Sequence, residues 1–189
     1  MSDGFNVKSS EDVFLLHKLL FSEVYSWAGE ARTINIYKEE RILHGLSVNY
    51  SDKNAIKNDI KKCNSIVNLV QDEQYLSSLT RLLGALWQAH PFREGNTRTI
   101  VVFLYFLLKH SNIELDIDFL ESNAKYFRNA LVLASIGEYS EFEHLETILD
   151  DAIFLQNSIN KRTNEHSTKY NKIKDLHLKD YKYNYHQKK

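Results

Sequence analysis

Apolar and polar residues follow a helical period along most of the chain. Apolar side chains recur at three- and four-residue steps over residues 10–27, 51–70 and 74–89, which is the spacing of one face of an α-helix. The same spacing predicts a helix over residues 96–110 and two or three further helices over residues 116–160. The pattern therefore predicts an all-α (mainly helical) protein.

One segment departs from the helical pattern. After Gly29, the stretch from Thr33 to Tyr37 alternates apolar and polar residues and contains β-branched side chains, which predicts a short strand. Residues 38–50 are rich in charge and contain Gly45, as expected of a hairpin or a loop. We therefore expect one short hairpin attached to the helices.

Length and composition restrict the class of protein further. The chain has 189 residues, of which 43% are hydrophobic and 26% are charged, as in an ordinary globular domain. Its single cysteine, Cys63, excludes an intramolecular disulfide and a four-cysteine zinc site. The N-terminus does not resemble a signal peptide, and the longest apolar run, Ile100 to Leu108, is too short to cross a membrane. We therefore expect a cytoplasmic protein without a membrane partner.

Positive charge is concentrated at the C-terminus. The whole chain has a net charge of -1, but residues 161–189 contain nine lysines or arginines against three acids, a local charge of +6. Four tyrosines lie among these lysines, and such a combination can bind nucleic acid. The acids within the segment and the near-neutral total favour a solvated extension, so nucleic acid is not an expected partner. We predict a domain over residues 1–160 and a basic, Tyr/Lys-rich extension over residues 161–189.

The stretch that begins at His90 carries the candidate chemistry. Pro91 disfavours the helical conformation at His90, so the helix before it should end there. Gly95 permits a backbone conformation closed to other residues, and Asn96 can cap the helix that follows. The amides at the start of that helix form an anion site, to which Arg98 adds a positive charge. A phosphate group fits this arrangement.

Two more side chains of the stretch suit phosphoryl chemistry. Glu94 is an oxygen ligand of the kind that Mg²⁺ uses alongside substrate phosphates. His90 is a candidate general base, because an imidazole accepts a proton from a hydroxyl near neutral pH. Phe92, between them, is expected to point into the core. Taken one by one, a histidine before a proline and a Glu-Gly-Asn turn are also common packing and turn features.

The same stretch resembles the signature of the Fic family (Fido superfamily) of cell filamentation proteins, His-x-Phe-x-(Asp/Glu)-Gly-Asn-Gly-Arg-x-x-Arg. The matching positions are 90, 92, 94, 95, 96 and 98. Residues 16–21 and 24–36 also resemble the first helix of the family and the strand that leads into its flap, so the similarity covers residues 10–150. The resemblance implies a Fic-type helical bundle with a short β-hairpin flap.

The resemblance also implies a protein adenylyltransferase (AMPylase), a nucleotidyltransferase that moves AMP from ATP onto a hydroxyl side chain of a target protein. By position, His90 would deprotonate the serine, threonine or tyrosine hydroxyl of the target, and Glu94 would hold Mg²⁺ against the α- and β-phosphates. Arg98 would neutralise phosphate charge. Four more residues would bind the nucleotide, three through backbone amides and one through its ammonium group: Gly95, Asn96, Thr97 and Lys38.

A further set of residues would dock the target protein. In the family, the flap holds the target segment by strand pairing. Here the resemblance places the start of the flap, and hence the predicted docking positions, at Ile34, Asn35, Ile36 and Tyr37.

Two departures from the family pattern leave alternatives open. Thr97 replaces the second glycine, and Val101 replaces the final arginine, which orients the outer phosphates in the family. Doc-type kinases of the superfamily carry lysine at the position of Thr97, whereas Glu94-Gly95-Asn96 is closer to the AMP-transferring branch. We therefore expect a weakened adenylyltransferase. The alternatives are a Fic-fold protein that uses another nucleotide or phosphate donor, or a catalytically impaired binding module.

Regulation by an antitoxin is a separate question. Many Fic proteins are inhibited by a helix with the pattern (Ser/Thr)-x-x-x-Glu-(Gly/Asn), whose glutamate pairs with the final arginine of the signature. The nearest match here, Ser26 to Glu30, is followed by Ala31 and is incomplete. Inhibition within the chain is therefore not expected, and a separate small antitoxin remains a candidate partner.

Overall fold

The computed structural model describes residues 5–67 and 75–154. Within these ranges the chain forms α-helices and no β-strand, so the predicted all-α class is confirmed. The predicted extension over residues 161–189 lies outside the described residues, and the domain boundary at residue 160 remains a prediction. In chain order the helices are α1 (Asp12–Phe21), α2 (Ile56–Lys62), α3 (Asn64–Val67), α4 (Tyr75–Ala89), α5 (Asn96–His110), α6 (Ile117–Ser122), α7 (Ala124–Leu133) and α8 (Glu143–Phe154), with 3₁₀ turns at Arg41–Leu43 and Gly137–Tyr139.

The helices of the second half have the bounds that the sequence predicts. α4 ends at Ala89, immediately before His90, and α5 begins at Asn96, directly after Gly95. Three helices, α6, α7 and α8, occupy the region for which two or three were expected. Pro91 disfavours the helical conformation at His90, and Gly95 permits a left-handed conformation that a helix does not use. The two residues therefore mark the two ends of the connection.

The first two predicted helices are shorter than expected. α1 ends at Phe21 instead of continuing to residue 27, because the amide of Val24 bonds back to the Phe21 carbonyl in a tight turn. Val24 is therefore 67% exposed and does not belong to the buried stripe. The second helix begins at Ile56 and is interrupted at Cys63, where α2 gives way to α3.

The strand expected over residues 33–37 is not formed. This part of the chain, here called the flap (residues 33–48), begins with a bend at residues 33–34 and folds back through a 3₁₀ turn. Backbone hydrogen bonds join its two arms near the tip, at Glu40. Closer to the base, the Lys38 amide donates to the Ser47 hydroxyl at 3.1 Å, so a side chain takes the place of a ladder bond. The flap is a hairpin-shaped loop and not a β-hairpin.

α4 lies at the centre of the helical bundle. It packs against α2, α5, α7 and α8. Gly84 lets α4 approach the end of α7, because a Cβ at this position would lie 2.5 Å from the carbonyl oxygen of Ala134. α5 packs against both α1 and α4, so the connection between α4 and α5 is supported by the bundle. Among the described helices, none combines the length and the apolar character that a bilayer crossing requires.

Candidate active site

The loop between α4 and α5 is held by a buried arginine. Arg32 is 2% exposed, and its Nε donates to the carbonyl of His90 at 2.9 Å. Its terminal nitrogens donate to the carbonyls of Ile34 and Ser51, and its own amide donates to the carbonyl of Pro91 at 2.7 Å. These bonds hold His90 in a left-handed conformation, with φ +42°, that few non-glycine residues adopt. Nothing in the sequence around Arg32 signals this role, because its partners are main-chain carbonyls.

The second half of the loop closes on itself through Asn96. The side chain of Asn96 accepts a hydrogen bond from the Phe92 amide at 3.0 Å and donates one to the Phe92 carbonyl at 2.8 Å. Asn96 is therefore not the helix cap that the sequence suggested. It is the first residue of α5, and the cap position belongs to Gly95, with φ +81°. Phe92 is buried, as expected.

A buried histidine of α1 supports the loop from another side. The ring of His17 stacks on Phe92, with the centroids 3.8 Å apart. Its Nδ1 accepts a hydrogen bond from the Gly29 amide, so Nε2 carries the proton and donates to the Glu94 carbonyl at 3.1 Å. Burial lowers the pKa of His17, which favours this neutral form. His17 is thus a second positioning residue that sequence spacing does not distinguish from an ordinary core residue.

The residues predicted for catalysis, metal binding and nucleotide binding meet in one cavity of about 270 Å³. Its lining residues are Lys38, Trp87, His90, Glu94, Gly95, Asn96, Thr97, Arg98 and Arg128. The four predicted docking positions of the flap lie outside this lining. Val101 also lies outside it and packs, half-buried, against the apolar core. The cavity brings the predicted groups together, and their individual roles remain predictions.

His90 contributes a ring nitrogen without a partner at the wall of the cavity. The residue is 2% exposed, and its Nδ1 lies 3.3 Å from the carbonyl of Trp87. Because a carbonyl can only accept, Nδ1 carries the proton and Nε2 carries the lone pair. Nε2 has no hydrogen-bond partner among the described residues. Burial and, after it, the charge of Lys38 lower the pKa of His90 to about 3, so the ring is neutral near pH 7.

Positive charge dominates the cavity. Lys38, Arg98 and Arg128 line it together with a single carboxylate, that of Glu94. Arg98 extends from the first turn of α5 and lies over the ring of Phe21, 4.6 Å from its centroid. The first amides of a helix have no acceptor within the helix, so the start of α5 adds partial positive charge at the same place. The arrangement suits a polyanion such as a chain of phosphates.

Two lining residues were not predicted from the sequence. Trp87 belongs to the apolar stripe of α4, yet its indole Nε1 is buried without a partner among the described residues. Arg128 comes from α7, far along the chain from the motif, and its Nη2 contacts both carboxylate oxygens of Glu40 on the flap. No local spacing links Arg128 to the motif, because its contacts arise only when the helices pack. Trp87 lies only three residues before His90, but its place in an apolar stripe gives no sign that it lines a polar cavity.

Glu94 is the candidate metal ligand. Its side chain is exposed and lines the cavity. Within the described residues, no group of three or more His, Cys, Asp or Glu side chains is arranged to hold a metal by itself. Mg²⁺ commonly binds through one or two carboxylates, while phosphate oxygens and water complete its shell. One carboxylate beside a cavity lined by positive side chains fits that donor set if a phosphate chain supplies the other oxygens.

The start of the flap combines exposed side chains with one anchor. Ile34 is 57% exposed and Tyr37 is 50% exposed. Asn35, by contrast, donates from Nδ2 to Asp52 at 2.9 Å and accepts from the Lys53 amide at 2.8 Å. The side chain of Asn35 therefore fixes the base of the flap, while Ile34 and Tyr37 remain accessible.

Comparison with known proteins identifies the family. A model of the Fic/DOC family matches residues 8–108, more than half of the chain, and the chain therefore belongs to the Fic/DOC family. It is 30% identical over 123 residues to the probable protein adenylyltransferase y4lH of Sinorhizobium fredii, with 65% of this chain and 63% of the relative covered. It is 28% identical over 147 residues to the protein adenylyltransferase VbhT of Bartonella schoenbuchensis, with 78% of this chain and 29% of the relative covered.

Solved structures share the fold. The FIC domain of Bep8 from Bartonella sp. 1-1C superposes with a TM-score of 0.65 at 17% identity, with 85% of this chain and 80% of that chain covered. BepC from Bartonella tribocorum, solved with bound AMPPNP, gives a TM-score of 0.60 at 19% identity, with 79% and 77% covered. The chain spans less than two thirds of the length of the curated relatives that it matches.

Proposed function

We propose that the protein is an adenylyltransferase that transfers AMP from ATP to a serine, threonine or tyrosine hydroxyl of a target protein. One observation carries the proposal: the unpartnered Nε2 of a neutral His90 lies at the wall of a cavity lined by Lys38, Arg98 and Arg128. A proton acceptor beside a polyanion site is what the attack of a hydroxyl on a phosphate requires. The names of y4lH and VbhT as protein adenylyltransferases support the same reaction.

The proposed reaction is a single displacement at phosphorus. Nε2 of His90 accepts the proton of the target hydroxyl, and the hydroxyl oxygen forms a bond to the α-phosphorus of ATP. The bond between the α-phosphorus and the oxygen that bridges to the β-phosphate breaks, and pyrophosphate leaves with the bonding electrons. The target then carries AMP through a phosphodiester bond, and the proton on His90 passes to solvent.

Positioning and charge supply the rest of the proposed catalysis. The amides at the start of α5 and the Arg98 guanidinium hold the phosphates, and Lys38 approaches them from the flap. Glu94 would hold Mg²⁺, which neutralises phosphate charge when it is bound. No covalent bond between enzyme and substrate is needed, so the protein acts mainly by orienting the two reactants.

The low basicity of His90 fits this reaction once the donor is bound. Burial is the main cause that lowers the pKa of His90, and the positive charge of Lys38 comes after it. A bound polyphosphate places negative charge in the same cavity and offsets this effect, which raises the pKa of His90. His90 therefore becomes a better proton acceptor when the phosphate donor is in place.

The flap supports docking of a target protein. Ile34 and Tyr37 are exposed on a part of the backbone that forms no ladder with another described segment. An extended target segment can add to such a backbone by main-chain hydrogen bonds, with side-chain contacts at alternate positions. A small antitoxin and residence in the cytoplasm remain predictions from the sequence.

A different phosphate donor is the second candidate, and Thr97 favours it. The Thr97 side chain lines the cavity at a position where the family signature has glycine, which reduces the space beside the helix amides. Incubation with cell extract, Mg²⁺ and ATP labelled at the α- or γ-phosphate separates the two. Label from the α-position on a second protein supports adenylyl transfer, and label from the γ-position supports a kinase. No label from either position contradicts ATP as the donor and favours another donor or a binding module.

A further inference from the structure

We infer that Arg128 is a phosphate-binding residue of the cavity and that Glu40 of the flap holds it in position. Arg128 extends from α7 and lines the cavity together with Lys38 and Arg98. The inference rests on the proposed function for the identity of the ligand, a nucleotide, but the affinity of the cavity for a phosphate chain can be measured without any transfer reaction.

The contact between Arg128 and Glu40 leaves part of the guanidinium available. Glu40 is 2% exposed, and its two oxygens lie 2.9 and 2.8 Å from the same nitrogen, Nη2 of Arg128. Nη1 and Nε of Arg128 have no partner among the described residues. Arginine–carboxylate pairs frequently use two nitrogens in a fork, whereas here Glu40 occupies only one nitrogen of Arg128. The contact therefore orients Arg128 while two of its nitrogens remain free to bind an anion.

Unpartnered buried groups indicate that this cavity takes a ligand. Within the described residues, the buried side-chain atoms without a partner are Nε1 of Trp87 and Nε2 of His90. Both residues are 2% exposed, and both line this cavity. Buried polar groups in folded proteins are normally hydrogen-bonded, so a bound molecule is expected to complete these bonds. Phosphate oxygens can accept from the indole N–H of Trp87 and from a guanidinium, whereas Nε2 of His90 carries a lone pair and requires a donor such as the hydroxyl of the proposed target.

Beyond Arg98, the first turns of α5 supply no second cation to the cavity. Val101 lies three residues after Arg98, but its side chain packs against the apolar core outside the cavity. Within the lining, the positive side chains are those of Lys38 from the flap, Arg98 from α5 and Arg128 from α7. Each comes from a different element, so together they can surround a chain of phosphates.

The test measures binding of ATP and of inorganic tripolyphosphate to the full chain by calorimetry. Glu40→Gln alone keeps the Arg128 cation, whereas the double variant Glu40→Gln/Arg128→Gln removes both charges and leaves no buried charge uncompensated. We expect the double variant to bind both probes about tenfold or more weakly than Glu40→Gln does, which is the loss of a hydrogen-bonded charge on the ligand. Equal affinities in the single and double variants would overturn the inference, because Arg128 would then be only the counterion of Glu40.

Two further variants serve as a control and as a replacement in this comparison. Arg81→Gln removes an exposed arginine of α4 that lies over Phe142 and outside the cavity, and its affinities should equal those of the wild type. If melting curves show that the double variant is unfolded, Arg128→Lys replaces it, because lysine keeps a charge beside Glu40 and loses the extra nitrogens. Wild-type affinity in Arg128→Lys would then overturn the inference. These assays contain no target protein, so they measure binding of the phosphate chain alone. A failure of AMP transfer in the separate labelling assay would contradict the proposed function and would leave the binding result unchanged.

Discussion

Alanine in place of Gly95 tests how closely the loop before α5 is packed. Gly95 has φ +81°, and a Cβ there would lie 2.6 Å from Cε2 of Phe21 and 3.2 Å from Nε2 of His17. Phe21 is 5% exposed and its ring centroid lies 4.7 Å from that of His17, so neither ring has room to move away. The left-handed backbone costs an L-residue about 1–2 kcal/mol. Overpacking adds about 1–3 kcal/mol.

Gly45→Ala is the matched control for this variant. Gly45 has φ +87°, but a Cβ there would meet no atom within 4 Å, so the change carries the backbone cost alone. Urea unfolding followed by circular dichroism should show that Gly95→Ala loses about 1–3 kcal/mol more stability than Gly45→Ala. Equal losses in the two variants would refute the conclusion that Phe21 and His17 leave no room for a side chain at position 95.

The remaining predictions concern Arg32, Val101 and His90. The guanidinium of Arg32 donates to several carbonyls, and Arg32→Lys replaces it with a single ammonium group. Urea unfolding should therefore show a free energy of unfolding lower by about 2–4 kcal/mol, and wild-type stability would contradict this role. Val101→Arg should lower the melting temperature without tightening ATP binding, because its position faces the core; a higher affinity measured by calorimetry would contradict that placement. The folded pKa of His90, about 3, lies below the unfolded value, so the stability from its neutral ring is present above about pH 6.5 and is lost as the pH falls toward 3. Unfolding at about pH 7 and pH 5 should show a loss of about 2 kcal/mol in the wild type beyond that of His90→Asn, and equal losses would contradict the burial effect.

Strong local signals explain why the bounds of α4 and α5 could be predicted. A long apolar stripe precedes His90. Pro91 follows the end of α4, and Gly95 precedes the start of α5. Apolar spacing alone was less reliable before residue 30. Val24 continues the spacing of α1, but the chain turns after Phe21 and leaves Val24 exposed. Periodicity records which residues could share a face, and it does not show where a tight turn ends the helix.

The flap shows the corresponding limit for strands. Alternation over residues 33–37 predicts which side chains would share a side of a strand, but residues 33–34 form a bend and no strand follows them. A strand also requires a partner backbone, and the Lys38 amide bonds instead to the hydroxyl of Ser47. Pairing of this kind depends on side chains from the opposite arm, which alternation within one segment does not contain.

The candidate site divides in the same way between local and distant residues. The motif from His90 to Arg98 is contiguous, so its predicted functional residues were expected to meet. Those residues, His90 and Glu94 to Arg98, line one cavity. Arg32 reaches the carbonyl of a residue 58 positions later, and Arg128 contacts a residue 88 positions earlier. Such contacts are products of the packed bundle, so no spacing rule within the sequence reveals them. Burial of Arg32 with main-chain partners becomes visible only in the folded chain.

The central proposal is that His90 acts as the base in transfer of AMP. The most direct measurement follows α-labelled ATP and Mg²⁺ in cell extract with the wild type and with His90→Ala, after calorimetry has established that both bind ATP. Because Nε2 of His90 acts on the target hydroxyl and not on the nucleotide, the variant should bind ATP and transfer no label, while the wild type labels a second protein. Undiminished labelling by His90→Ala would contradict the proposed role of His90.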